Sequence, residues 1–156
     1  MRAPRGRAST AGFTLVEMMT VVSILAVMLG ILAPSFTGFL ASQQAKSLTY
    51  DLTGDLMLAR NESLKRNVNV SITRAGTGWE QGWRVATVAT NEQLSQRNAA
   101  AQSVTVSGAP ASITFDPNGR VSLPLGSVRI TIGGGANFRC IALDPSGRVR
   151  AQVGAC

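Results

Sequence analysis

From Met18 to Ala33 the chain carries no charge, and only Thr20 and Ser23 have polar side chains in that run. Counted from Phe13, the apolar stretch is 21 residues long. As a helix at about 1.5 Å per residue it would extend roughly 31 Å, the hydrocarbon thickness of a bilayer. One acid interrupts it, Glu17. A carboxylate in lipid costs on the order of a few kcal/mol, so it calls for a partner or a purpose. Three plainer readings fit less well. A secretory signal peptide could use Arg2, Arg5 and Arg7 as its basic region, but its apolar core is shorter and an A-x-A-like site should follow. Here Pro34-Ser35-Phe36-Thr37-Gly38 follows instead. A simple single-pass anchor explains the length but not Glu17. A buried core helix would be shorter and less uniformly apolar.

Gly12-Phe13-Thr14-Leu15-Val16-Glu17, behind a short basic leader and ahead of an apolar helix, resembles the processing motif of type IV pilins and of the pseudopilins of type II secretion. The resemblance implies that a prepilin peptidase cuts after Gly12 on the cytoplasmic side of the inner membrane. It implies that Phe13 becomes the N-methylated mature terminus and that Glu17 is the assembly glutamate. Gly30 and Pro34 match the helix breakers common in pilin helices. The physics of Glu17 agrees with this role. In a filament the lipid around the helix is replaced by neighbouring subunits. The carboxylate could then meet the terminal amine of Phe13 on an adjacent subunit, an attraction that low dielectric strengthens while penalising any unpaired charge.

Arginines ahead of an apolar helix orient the chain with its amino terminus inside, so everything after about Leu40 is expected in the periplasm. The expected organisation is a leader over residues 1–12, a transmembrane and assembly helix over 13–40, and one periplasmic domain over 41–156. Formal net charge is +7, from 15 Lys+Arg against 8 Asp+Glu. The leader holds three of the arginines, which leaves 12 basic against 8 acidic residues in the mature chain. From Asp116 onward five arginines face only Asp116 and Asp144, so most of the excess lies in the last quarter. That bias serves solubility or attraction to a polyanion. Cys140 and Cys156 are the only cysteines, and in an oxidising periplasm a lone pair reads as a disulfide worth roughly 3 kcal/mol. Two thiols and no histidine leave no metal site.

Helical period continues beyond the membrane through Ala41, Ala45, Leu48, Leu52, Leu56, Ala59 and Ser63, which predicts one helix from about Phe13 to Arg66 with an apolar face that needs a sheet to cover it. The period then changes to two at Val68, Val70 and Ile72. A glycine turn follows between Trp79 and Trp83, and a second strand runs through Trp83 and Val85. Residues 91–103 are polar, lack strand period and read as a mobile loop. Short strands are expected at Val104–Ser107, Ile113–Phe115, Val121–Leu123, Val128–Ile132, Phe138–Leu143 and Arg148–Val153. Asp116-Pro117-Asn118-Gly119-Arg120 and Asp144-Pro145-Ser146-Gly147-Arg148 are near copies, each suited to a type I turn ending on a left-handed glycine. Gly133-Gly134-Gly135 reads as a flexible hairpin connection. No helix and no G-K-[ST] follows it, so it is not a phosphate loop.

The fold class is therefore α+β: a long amino-terminal helix, transmembrane then amphipathic, packed on an antiparallel sheet domain of the type IV pilin-like kind. The helix end around Ala59-Arg60-Asn61-Glu62 and the element Gly78-Trp79-Glu80-Gln81-Gly82-Trp83 resemble the GspH/FimT group of that superfamily. Ser63 departs from the group's usual Ala, and Ala86–Asn91 lacks the acidic segment that often follows the tryptophans. Scattered acids and the absence of histidine argue against an enzyme, and no cofactor is implied. One constellation carries chemistry. Arg148 and Arg150 alternate with Val149, so in a strand both guanidiniums share a solvent face about 6.5–7 Å apart, near the phosphate spacing of a nucleic-acid strand. The alternative is an ordinary solvated edge. A G-R-x-R end beside a disulfide resembles the FimT branch, implicated in DNA uptake during natural transformation; Arg139, with Arg120 and Arg129, would widen the expected patch, the sequence leaving the faces of these three undetermined. The implied partners are other pilin or pseudopilin subunits, the prepilin peptidase, inner-membrane lipid before assembly, and double-stranded DNA. The competing reading is a purely structural, GspH-like pseudopilin of type II secretion.

Overall fold

A computed structural model of the chain describes residues 12–100, 103–122, 127–134 and 137–156, with the side chains of residues 31–35 outside that description. The leader before Gly12, the Pro34 side chain, Leu123 and Gly135 thus lie outside the described residues. The chain divides into two compact units, the first ending at Phe36 and the second running from Thr37 to Cys156. Helix α1 covers Leu15–Arg66 and its backbone stays helical through Gly30 and Pro34. In the first unit every described apolar side chain from Phe13 to Leu29 that is large is exposed. Among the described residues no helix is long and apolar enough to cross a membrane. The apolar run read from the sequence continues through residues 31–35.

In the second unit the heptad-like stripe is buried as its spacing requires. Ala41, Ala45, Leu48, Leu52, Leu56, Ala59 and Ser63 all lie inside. Each fully buried leucine contributes on the order of 1.5–3 kcal/mol. The helix stops at Asn67, whose φ of 55° is left-handed, and the Val68 amide donates to the Ser63 carbonyl across 3.3 Å. This is a Schellman closure, in which asparagine does the work more often given to glycine.

Two four-stranded antiparallel sheets cover that stripe. The first contains β1 (Val70–Arg74), β2 (Trp83–Thr87), β3 (Gln93–Arg97) and β5 (Ser112–Phe115), in the order β3-β2-β1-β5. The second contains β4 (Val104–Ser107), β6 (Val128–Gly134), β7 (Asn137–Leu143) and β8 (Val149–Val153), in the order β4-β6-β7-β8. Alternation fixes what each sheet offers the helix. Val70, Ile72, Trp83, Val85, Ile113 and Phe115 come from the first sheet, and Ile130, Ile132, Ile141 and Leu143 from the second, into one continuous core. Every buried hydrophobic residue of the described chain belongs to Thr37–Cys156, so this unit carries a core of its own, the requirement for folding as a separate domain.

Three local expectations are corrected. Residues 93–97 form a strand, not a loop, paired through Trp83↔Arg97, Arg84↔Gln96 and Val85↔Ser95. As an edge strand it is exposed or half-buried throughout, so it lacks the alternation that marks a strand in sequence. Gly133 and Gly134 extend β6 instead of forming the turn. Gly134 is buried where a Cβ would press on the Ala41 carbonyl and stand 2.7 Å from the Ala45 Cβ, so the helix approaches the sheet over a bare backbone. Among the described residues Val121 makes an isolated bridge to Phe115 and joins no strand.

Candidate functional site

At the amino-terminal end, Gly12 and Phe13 are exposed, and Glu17 occupies the first turn of α1. The Thr14 hydroxyl accepts the Glu17 amide across 3.2 Å, so Thr14 caps the helix and Glu17 stands at the third helical position. The T-L-V-E spacing is that of a capping box, and an acid there is favoured by the helix dipole. This local role was legible in the sequence pattern and was missed; it accounts for an acid in the first turn without excluding a role in assembly.

At the other end, the Asp144–Arg148 turn joins β7 to β8. The Gly147 amide donates to the Asp144 carbonyl at 2.8 Å, and the Asp144 amide donates to the Arg148 carbonyl at 3.0 Å. Gly147 has φ +78°, the left-handed glycine that the turn demands. Arg148 and Arg150 are exposed, while Val149 between them packs against the core. The two guanidinium-bearing residues therefore share the solvent face. Register extends that row: Arg150 stands opposite Ala142, and Ala142 opposite Arg129, so Arg129 belongs to the same face two strands away, roughly 9–10 Å across. None of Arg129, Arg148 and Arg150 takes part in an ion pair among the described residues.

Arg139 departs from the expected patch. It stands opposite Val153 and Ile132 and shares the parity of Ile141 and Leu143, which puts it on the core-facing side of β7. It is half-buried there because the strand begins beyond the region of the core. Arg129, whose face was undetermined in sequence, occupies the position in the patch that Arg139 does not.

The near-copy turns are also neighbours in space. The Val121 amide donates to the Pro145 carbonyl at 3.0 Å, and Gly147 lies directly against the Gly119 carbonyl. Arg60, from the helix, donates through Nε to that same carbonyl at 3.1 Å. Two similar turns and one helix arginine thus lock the base of the β7–β8 hairpin. The repeated turn chemistry was visible in sequence; its convergence on Arg60 was not.

Cys140 and Cys156 form a disulfide with Cα atoms 5.0 Å apart. It draws residues 154–156 back over the outer face of the second sheet. There the Gly154 amide donates to Phe138 O at 2.8 Å, and Arg129 Nη1 donates to Cys156 O at 3.3 Å. Arg129 is thereby steadied beside the hairpin. Among the described residues no cluster of His, Cys, Asp and Glu has the makings of a metal site.

Comparison with known proteins agrees with this architecture. The family model for "Type II transport protein GspH" matches residues 49–147. That for the "Prokaryotic N-terminal methylation motif" matches residues 7–33. No curated protein matches the sequence. Among solved structures, the type IV minor pilin FimU of Pseudomonas aeruginosa superposes with a TM-score of 0.64 at 20% identity, over 73% of this chain and 92% of that one. The minor pseudopilin EpsH of the Vibrio cholerae type 2 secretion system gives a TM-score of 0.54 at 12% identity, over 70% and 97%. At such identities the likeness is one of fold.

Proposed function

This chain belongs to the type II transport protein GspH family, and on that premise we propose that it is a minor filament subunit that also binds double-stranded DNA without sequence preference, for uptake in natural transformation. The coarser part, a minor pilin or pseudopilin built on the type IV pilin-like fold and carrying a prepilin methylation motif, follows from the family and the architecture. The finer part rests on one observation: Arg148 and Arg150 project from one exposed face, joined by Arg129, with no Asp or Glu side chain paired to any of them among the described residues. Guanidiniums so spaced hold backbone phosphates. In this reading the peptidase cuts between Gly12 and Phe13, Phe13 is methylated, and Glu17 pairs with the Phe13 amine of a neighbouring subunit. The chain is anchored in the inner membrane by residues 13–40, with its second unit in the periplasm until the filament forms.

The test is a salt-dependent DNA titration of Thr37–Cys156. Few arginines contact few phosphates, so affinity at physiological salt should fall near the non-specific range of about 10⁻⁴–10⁻⁶ M, and each lost contact should flatten the salt slope by about one unit. The double substitution Arg148→Gln, Arg150→Gln should abolish binding with thermal stability retained. Exchanging Arg74 and Arg97 instead should cost much less. If the hairpin variant binds as well as that control, the structural pseudopilin of type II secretion is the better account, a reading that the family supports equally.

A further inference from the structure

The outer face of the first sheet carries a groove of about 550 Å³ that no part of the filament or DNA reading uses. Strand register explains its chemistry. Thr73 of β1 stands opposite Arg84 of β2, and Arg84 opposite Gln96 of β3, so one row across three strands reads Thr73, Arg84, Gln96. The neighbouring row reads Ser71, Ala86, Gln93. Arg74 joins from the end of β1, and Asn91 from the β2–β3 turn. Among the described residues the lining thus holds two guanidiniums with amides and hydroxyls, and no acid or aromatic ring.

Among the described residues neither charge has a counterion. Arg84 directs Nη2 to Asn91, at 2.8 Å from its carbonyl oxygen and 2.5 Å from Oδ1, and both acceptors are neutral. Its Nε is buried with no hydrogen-bond partner among the described residues. Arg74 enters no ion pair among those residues, whereas Arg66 and Arg97 each meet a carboxylate. A partly desolvated cation held only by neutral dipoles is relieved by an anion. The geometry points to this groove as a site for a small hydrophilic oxyanion, a carboxylate or phosphate carried on a hydroxyl-rich, sugar-like frame. Guanidiniums favour the oxyanion. The amides and hydroxyls around them suit the hydroxyls of the frame. With Ala75 and Ala86 the only apolar lining residues among those described, the lining offers no cleft for an acyl chain and no ring on which a base would stack.

The probes are sodium galacturonate, inorganic phosphate, neutral galactose and a short DNA duplex, added at constant ionic strength to ¹⁵N-labelled Thr37–Cys156. Galacturonate, phosphate or both should shift the amides of Thr73 and Gln93 and the side-chain Nε–H of Arg84 and Arg74, saturably. The two anions together distinguish carboxylate from phosphate as the recognised group, and a preference of galacturonate over both galactose and phosphate identifies the acidic sugar. Arg74→Gln, which disturbs no hydrogen bond of the hairpin, should weaken the effective anion by about tenfold, the loss expected of one charged hydrogen bond. Arg84→Gln should weaken it at least as much, but it also releases Asn91, so Arg74→Gln decides. The proposal fails if galactose shifts the same resonances as strongly as the anions. It fails likewise if neither anion moves them, if the duplex alone does so, or if Arg74→Gln binds like the wild type.

Discussion

The indole nitrogen of Trp83 donates to Oδ2 of Asp55 across 2.7 Å, tying a fully buried ring of the first sheet to the helix that covers it. The second tryptophan is held alongside: Trp79 lies 6.2 Å from Trp83 between ring centroids and donates its own N–H to Pro110 O at 2.8 Å. The tryptophan pair is therefore a polar-tipped wedge between helix and sheet, with each N–H assigned a partner. Asp55→Ala should destabilise Thr37–Cys156 by about 1–3 kcal/mol, the cost of leaving a buried donor without an acceptor. Asp55→Asn retains an acceptor and should lose clearly less. Equal urea midpoints for the wild type and Asp55→Ala would mean that the bond contributes nothing.

Two glycines should respond in opposite directions to the same substitution. Gly134→Ala drives a methyl group into the Ala41 carbonyl and the Ala45 side chain, and overpacking of that kind typically costs about 1–3 kcal/mol. Gly54 lies exposed within α1 with nothing within 4 Å of a would-be Cβ. Gly54→Ala should stabilise by roughly 0.5–1 kcal/mol through helix propensity alone. Thermal melts of both variants check the pair, and a destabilised Gly54→Ala would contradict the open helix face assigned to it.

The end of α1 predicts a pH dependence. Arg66 hydrogen-bonds Glu62 at 2.5 Å and reaches Glu92 at 2.9 Å, linking the last helical turn to the β2–β3 turn. The Arg66 hydrogen bond is the chief reason that the Glu62 carboxyl titrates below its ordinary value, and Glu92, then Glu62, hold Arg66 above its own. A carboxyl depressed in the folded state adds stability above its unfolded range and loses it as pH falls through the folded value. Arg66→Gln should accordingly melt earlier than the wild type at neutral pH, with the difference closing in acid. A gap that persists unchanged to low pH would exclude the ion pair as its cause.

Much of this was legible in the sequence where one physical demand dominated. The stripe from Ala41 to Ser63 had to be buried, and it is. The two Asp-Pro-x-Gly turns close as their residues require. What escaped were features decided by tertiary surroundings. An edge strand exposed along its length, such as β3, has no burial period to read. Arg139 shares the parity of Ile141 yet remains half-buried because its strand outruns the core, and only register separates it from Arg150. The division into two sheets, the meeting of the twin turns at Arg60 and the need for a bare Gly134 all depend on contacts between residues distant in sequence.

The central claim, that this chain is a processed filament subunit, is tested most directly by intact-mass and amino-terminal analysis of the protein in sheared filament fractions. The account predicts a chain that begins at Phe13, carries one methyl group on its terminal nitrogen and contains the Cys140–Cys156 disulfide. A protein absent from the filament fraction, or a mature chain that begins anywhere other than Phe13, would contradict it.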